Sequence, residues 1–341
     1  MKIYKGVCIG AGYFSQFHYE AWARLENVEI IAVCDISKEK AQTICNTYGF
    51  AKAYDNFEEM LKQESPDFVD VITPPNTHLD ICKIAVANNI HIICQKPLAP
   101  TYKESLQLAK IIEESNVRMM VHENFRFQPW HREIKKLLVQ NTIGKKLHTI
   151  NLCMRMGDGW QHDAYRNRQP YFREMKKLLI YETGIHFIDV FRYLGGEITK
   201  VYAKLKTLNI NIKGEDFAWV NFDFDNGAVG FLDANRYNES TSDNPRFTFG
   251  KVVIEGTKGS IRLYEDGKIT IQLLGKKEKE HLYKFEHKNF AGDCVFNTQK
   301  HFIDQLSSTK PFETDVSLYL QNIIVQDKIY ESSKLGKEVS I

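Results

Sequence analysis

The chain has 341 residues, enough for two domains of ordinary size, and its 45 lysines and arginines nearly balance 43 aspartates and glutamates, for a formal net charge of +2. That balance, with no basic stripe or like-charge block, argues against a nucleic-acid or anionic-membrane surface, and no apolar run approaches the length needed to span a bilayer. The 7 cysteines show no C-x-x-C spacing, and Cys8, Cys34 and Cys94 lie inside apolar runs, so they read as small core residues of a reducing compartment. Met1 to Gly6 runs straight into a strand without room for a signal peptide, so a cytoplasmic protein is expected.

Strand and helix signals alternate through the first part. Val7–Ile9 predicts a strand ending at Gly10, and residues 14–25 a helix through Phe14, Phe17, Ala21 and Leu25. Glu29–Cys34 is a second buried strand, and Ser37 caps a helix reaching about Asn46. A short helix at Phe57–Leu61 precedes a strand at Phe68–Ile72, a helix at Thr77–Asn88 and a strand at Ile90–Cys94. Thr101 caps the next helix, which runs to about Ser115, and Val117–Val121 is a further strand. Strands rich in Val and Ile without polar alternation are those buried on both faces of a parallel sheet, so this part is doubly wound α/β. After residue 122 the pattern changes: a helix at Pro129–Gln140, a long strand at Lys145–Met154, an apolar helix at Gly184–Leu194, then strand after strand from Ile198 to about Phe285. Turns at Asp225-Asn226-Gly227, Gly256, Gly259 and Asp266-Gly267 mark an antiparallel or mixed sheet. Two helices, near Asp293–Leu306 and Asp315–Tyr330, close the chain. The expected domains are residues 1–122 and 123–341.

Gly10-Ala11-Gly12-Tyr13-Phe14-Ser15 falls between the first strand and first helix, where a dinucleotide-binding turn belongs. Gly10 permits the tight turn, and Gly12 lets the backbone approach a pyrophosphate at the helix N-terminus, while Ser15 replaces a third glycine, small for small. Asp35 ends the second strand 23 residues past Gly12, where a carboxylate accepts from an adenosine ribose and repels a 2′-phosphate. NAD is therefore favoured, with Lys38 and Lys40 leaving NADP open. The bland alternative is a Gly-rich turn with a helix-capping aspartate.

Thr73-Pro74-Pro75-Asn76-Thr77-His78 and Cys94-Gln95-Lys96-Pro97-Leu98-Ala99 each close a strand. In an open parallel sheet, groups at strand carboxyl ends line the ligand crevice. Each segment alone reads as an ordinary turn or solvated loop; together they make Lys96 the leading candidate for the chemistry. Tyr13, Phe14, Thr73, Pro74, Asn76, His78, Gln95 and Lys96 join Gly10, Gly12 and Asp35 as candidate cofactor contacts. Glu182 and His186, within Tyr181-Glu-Thr-Gly-Ile-His-Phe-Ile-Asp189, stand four apart and face each other if the helix begins before Glu182. Imidazole suits proton transfer near neutrality, although His186 alone reads as a core histidine.

With these segments in this order, the chain resembles the glucose–fructose oxidoreductase, inositol dehydrogenase and rhizopine-catabolism (Gfo/Idh/MocA) family, over nearly its whole length. The resemblance implies an N-terminal Rossmann domain and a C-terminal α+β domain with a large open mixed sheet. It further implies a homodimer or homotetramer formed through that sheet, and nicotinamide-dependent oxidation of sugars or polyols. It would have Lys96 bind the reacting hydroxyl and His186 act as acid/base, with Glu182 as its catalytic partner. Gln95 stands where the family usually has glutamate, and Glu182 where aspartate is common. The segment Arg155–Arg173 is dense in aromatic rings and arginines; Trp160, Tyr165 and Arg166, with Lys96 and His186, are the candidate substrate contacts, the rings for stacking on a sugar and the arginines for an acidic or phosphorylated one. Histidines 122, 162 and 186 with Glu123 lack metal-ligand spacing, so no metal is expected. The alternatives are an NAD-retaining hydrolase or lyase that oxidises only transiently, and a non-catalytic dinucleotide-binding sensor.

Overall fold

The computed structural model describes residues 2–341. They form two compact units, each assembled from separated stretches of chain. The first takes the residues up to Asn124 with Val295–Gln321; the second takes Phe125–Cys294 with Asn322–Ile341.

The first unit runs β1 (Tyr4–Ile9), α1 (Ser15–Trp22), β2 (Val28–Cys34), α2 (Lys38–Tyr48), β3 (Lys52–Tyr54), α3 (Phe57–Glu64), β4 (Phe68–Val71), α4 (His78–Ala87), β5 (His91–Gln95), α5 (Tyr102–Glu113) and β6 (Met119–His122). Its strands form a 6-stranded sheet in the order β3-β2-β1-β4-β5-β6, and every pair is parallel. This is the Rossmann order, with the topological switch between β1 and β4. β4 and β6 are buried at every residue, as unalternated apolar strands between helical layers must be. Ser37 and Thr101 cap α2 and α5 by accepting from the backbone N–H groups of Lys40 and Glu104. β3 carries no strand signal of its own: Lys-Ala-Tyr has no apolar run, and only pairing with β2 makes it a strand.

Val295–Gln321 completes this unit. Arg118 donates to the carbonyls of Leu306, Ser308 and Lys310 at 3.0, 2.7 and 2.6 Å, closing the carboxyl end of α8 (Cys294–Leu306), where a cation is favoured. Phe302 meets Phe68 edge-on at 5.5 Å.

The second unit begins with a 3₁₀ turn at Phe125–Phe127 and α6 (Pro129–Val139), then β7 (Leu147–Arg155), a π-helical turn (Leu179–Gly184) running into α7 (Ile185–Gly195), and β8 (Ile198–Lys206). β9 (Phe217–Phe224), β10 (Val229–Asn235), β11 (Lys251–Gly256), β12 (Gly259–Leu263), β13 (Ile269–Leu273) and β14 (Lys279–His281) follow. After α9 (Val316–Leu335), β15 (Val339–Ser340) ends the chain. The strands form a 9-stranded sheet, β14-β13-β12-β11-β7-β10-β9-β8-β15, mixed because β7 and β10 run parallel while their outer neighbours pair antiparallel. Burial alternates residue by residue along β9. One face packs on α7, with Phe191 against Phe222 at 4.8 Å. The other carries a partly exposed aromatic row, in which Trp219 lies 6.0 Å from Tyr202 and 4.9 Å from Phe231. Among the described residues no helix is long and apolar enough to cross a membrane.

Candidate active site

In the first unit the site begins where β1 meets α1. Gly10 has φ +115°, and a Cβ there would lie 2.5 Å from the Ile72 carbonyl oxygen, so the fold itself demands glycine. Gly12 differs: nothing lies within 4 Å of where its Cβ would be. No packing in the chain needs glycine at that point, but a pyrophosphate approaching the backbone does. The Ser15 hydroxyl donates to the Gly12 carbonyl at 2.7 Å, which holds the loop where a third glycine would otherwise let helix and strand close up. Asp35 accepts from the backbone N–H of Ala11 at 2.7 Å through one carboxylate oxygen and from Ser37 at 2.9 Å through the other. Each oxygen keeps a further acceptor site, so the carboxylate can both brace the loop and receive a ribose hydroxyl. These residues fit NAD. Tyr13 is exposed beside the loop, and Phe14 turns inward onto Phe17 at 5.2 Å.

At the next strand ends Pro74 and Asn76 are exposed and Thr73 half-buried. His78 is fully buried, its ring nitrogens 2.8 and 3.0 Å from the carbonyl oxygens of Thr73 and Leu98. Burial pushes its pKa down. Placed there, His78 braces the Thr73 turn against the segment after Lys96, so the ring expected among the cofactor contacts serves as a strut of the loop. Lys96 is half-buried at the end of β5 and precedes a cis peptide bond to Pro97. Gln95 accepts from the backbone N–H of Lys96 at 2.7 Å and meets Nε2 of His18 at 3.0 Å. His18 was not singled out by sequence; its only signal was a polar ring on the inward face of the first helix.

In the second unit His186 lies in the first turn of α7, nearly buried, with the Phe125 ring stacked on it at 4.1 Å and 7°. The turn carrying Phe125 is fastened from two sides. Arg126 forms a two-point ion pair with Asp189, at 2.7 and 2.6 Å, and Asn322 donates to the same carboxylate at 2.8 Å. His131 donates from Nδ1 to the Phe125 carbonyl at 2.8 Å; burial lowers its pKa to about 4. Asp189 of the Gly-x-His-x-x-Asp segment thus anchors the wall behind His186. Glu182 sits on the π-helical turn, where it accepts from the Thr183 hydroxyl at 2.7 Å and lies 3.7 Å from the Arg236 guanidinium. Glu215 holds that turn: its carboxylate accepts from the backbone N–H groups of Leu178 and Ile180 at 3.1 and 3.0 Å and from the Tyr330 hydroxyl at 2.5 Å. Nothing in the local sequence marked Glu215, since its partners lie more than thirty residues before it and more than a hundred after.

The Arg155–Arg173 segment is organised around one carboxylate. Arg168, Arg236 and Arg246 all reach Asp158, at 3.2, 2.7 and 3.0 Å. Arg155 pairs with Asp233 at 2.7 Å, and Arg173 donates to the carbonyls of His162 and Ala164. Trp160 is 48% exposed and donates to Glu239 at 2.7 Å, and Arg166 is exposed. Tyr165, expected among the substrate contacts, is instead a core residue packed with Phe172, Leu178 and Ile212. Its hydroxyl, which accepts from Arg236 at 3.1 Å, has a pKa pushed up to about 12 by burial. Among the described residues no cluster of three His, Cys, Asp or Glu could hold a metal.

Comparison with known proteins agrees with this architecture. Residues 5–123 match the model of an oxidoreductase family with an NAD-binding Rossmann fold, and residues 131–262 match that of the Gfo/Idh/MocA C-terminal domain. The chain is 27% identical to D-apiose dehydrogenase of Rhizobium rhizogenes, over 99% of this chain and 97% of the relative. It is 24% identical to myo-inositol 2-dehydrogenase of Thermotoga maritima, over 89% and 88% respectively. Among solved structures, an oxidoreductase from Agrobacterium radiobacter in complex with NAD+, L-tartaric acid and magnesium superposes with a TM-score of 0.89 at 27% identity, over 99% of this chain and 98% of that one. A levoglucosan dehydrogenase in complex with NADH and levoglucosan shares the fold, with a TM-score of 0.86 at 21% identity over 100% and 99%.

Proposed function

The chain belongs to the Gfo/Idh/MocA family of NAD-binding oxidoreductases, and we propose that it oxidises a hydroxyl-bearing carbon of a neutral sugar or polyol. The observation that carries the dehydrogenase reading is the open space over Gly12 beside the Asp35 carboxylate, a cradle that serves no packing of the chain's own. The substrate class is supported by the relatives, whose names are those of apiose, inositol and levoglucosan dehydrogenases. It is supported too by the arginines in and around the Arg155–Arg173 segment: Arg155, Arg168, Arg173, Arg236 and Arg246 are engaged with carboxylates or carbonyls of the same unit. That leaves Arg166 as the arginine to probe for an acidic substrate.

When bound, NAD supplies the hydride acceptor. Lys96 binds the reacting hydroxyl and stabilises negative charge on its oxygen as the proton departs. His186 takes that proton on its imidazole, with the stacked Phe125 ring fixing the plane in which it does so. Glu182, on the π-helical turn one helical step earlier, steadies the imidazolium that forms. Assembly through the outer face of the nine-stranded sheet into a homodimer or homotetramer belongs to the same reading, supported by its aromatic row of Tyr202, Trp219 and Phe231.

A screen of sugars, polyols and sugar acids for NADH formation tests this. Lys96→Ala should lower kcat by roughly 10²–10³-fold, as for a lost oxyanion-type donor, and His186→Ala by about 10²–10⁴-fold, the range for one positioned acid/base group. Near-normal turnover in either variant removes that residue from the chemistry. Product formation without net NADH would favour the transiently oxidising hydrolase or lyase, and dinucleotide binding without turnover on any substrate the sensor.

A further inference from the structure

We propose that Asp70, His18 and Gln95 form a buried relay that positions Lys96, and that Gln95 locks the relay in a single, uncharged-imidazole arrangement. The proposal rests on the role given to Lys96 above. One donor in the relay has a fixed identity: the backbone N–H of Lys96, 2.7 Å from Oε1 of Gln95. With the carboxamide oxygen turned to Lys96, its NH₂ faces Nε2 of His18 at 3.0 Å. An amide NH₂ only donates, so this ring nitrogen must be the bare acceptor. The ring proton then sits on Nδ1, which lies 2.8 Å from Oδ2 of Asp70. The same oxygen accepts from the Trp22 indole at 2.7 Å. A single backbone N–H thus dictates the amide orientation, the tautomer and the direction of every bond down to Asp70.

The relay joins α1, β4 and the end of β5, so it ties the helix behind the glycine loop to the residue before Lys96. His18 and Asp70 are fully buried, and Gln95 is 8% exposed. His122 from β6 lies over His18 with ring centroids 4.1 Å apart and planes tilted by 30°, and Phe14 meets its edge at 5.7 Å. Gln299 of α8 donates to the His18 carbonyl at 3.3 Å. The titratable groups facing this ring are therefore Asp70 and His122, with Cys8 of β1 against Asp70. The remaining carboxylate oxygen of Asp70 is buried without a hydrogen-bond partner among the described residues, a destabilising arrangement for a segment needed only for packing. A glutamate at position 95 could still accept from Lys96 N–H, but its second oxygen would face the Nε2 lone pair. Two acceptors repel, and the contact becomes favourable only when the imidazole gains a proton.

Histidine-labelled protein studied by ¹⁵N NMR, with the His18 signals assigned by their absence in His18→Phe, should show a bare Nε2 and a protonated Nδ1 at neutral pH. A protonated Nε2 on His18 would overturn the relay without any kinetic measurement. Kinetics with NAD and the substrate found in the screen supply the functional arm. Gln95→Met, similar in volume but lacking both bonds, should lower kcat by roughly 10²-fold, the cost of about 1 Å of misplacement, with a smaller change in substrate KM. Gln95→Glu should give a rate that falls as pH rises and the newly charged imidazole loses its proton, a limb absent from the unmodified enzyme. A pH profile in Gln95→Glu like that of the unmodified enzyme, or full kcat in folded Gln95→Met, would refute the positioning role. If Lys96→Ala retains activity, the role of Lys96 fails, while the tautomer and the Gln95→Glu profile still decide the relay.

Discussion

Two glycines two residues apart in one loop answer to different masters, and substitution separates them. Gly10→Ala must adopt φ +115° and place a methyl 2.5 Å from a backbone oxygen, so stability should fall by at least the roughly 1–3 kcal/mol typical of a strained backbone position. Gly12→Ala meets no atom of the chain and should melt within a degree or two of the unmodified protein while binding NAD far more weakly. Calorimetry on both and a titration with NAD would check the pair; an unchanged NAD affinity in Gly12→Ala would mean that the dinucleotide does not pass over this loop. Asp35 belongs to the same scale. NAD should bind more tightly than NADP, and Asp35→Ala should narrow the gap while weakening both, because Ala11 N–H loses its acceptor. Equal affinities before mutation would remove the ribose role from Asp35.

At the scale of elements, α7 carries His186, and its position depends on what grips its neighbours. The Arg126–Asp189 pair is almost dry, with the two side chains 12% and 1% exposed. Removing one member of such a pair strands the other, so Asp189→Ala should cost about 3–5 kcal/mol in chemical denaturation. Asp189→Asn, which keeps one acceptor, should cost less. If Asp189→Ala denatures at the normal midpoint, the turn bearing Phe125 is held by something other than this pair. The π-helical turn before α7 depends likewise on Glu215, whose acceptors take two backbone donors that a helix start leaves unsatisfied.

For the whole molecule, two properties follow. His131 has a pKa lowered to about 4 by burial, and His78 is lowered in the same sense. Buried His131 stays neutral down to that pH and His78 binds its proton less readily than it does in the unfolded chain, which takes up both protons below about 6.5. The unfolded state therefore binds more protons in this window, and stability should be full above pH about 6.5 and fall steadily toward pH about 4. The lowered carboxylates Glu64 and Glu133 add their loss only at the acid end of that range. Denaturation midpoints between neutral and mildly acid pH measure the histidine contribution, and His131→Phe should flatten the slope. The second concerns the assembly proposed above: if the outer sheet face joins copies of the chain, Trp219→Arg should shift the particle mass to a monomer in light scattering without loss of NAD binding. An unchanged mass would exclude that face from the interface.

The sequence by itself determined the alternation that makes a doubly wound sheet, the capped helices at Ser37 and Thr101, and the glycine loop with its terminal aspartate. These are local, because apolar runs, caps and tight turns are decided by neighbours within a few residues. It also singled out Lys96, Gln95, Glu182 and His186 as candidates by motif, since polar groups at strand and helix ends fall at fixed distances from the turns beside them. Tertiary structure alone decided that Val295–Gln321 completes the first unit, where Arg118 closes the end of α8. It alone made Lys52–Tyr54 a strand, Tyr165 a core residue, and Asp158, Asp189 and Glu215 the anchors of the second unit. In each case the partner lies far along the chain, and a buried charge or a polar strand becomes favourable only when the fold delivers the group that satisfies it.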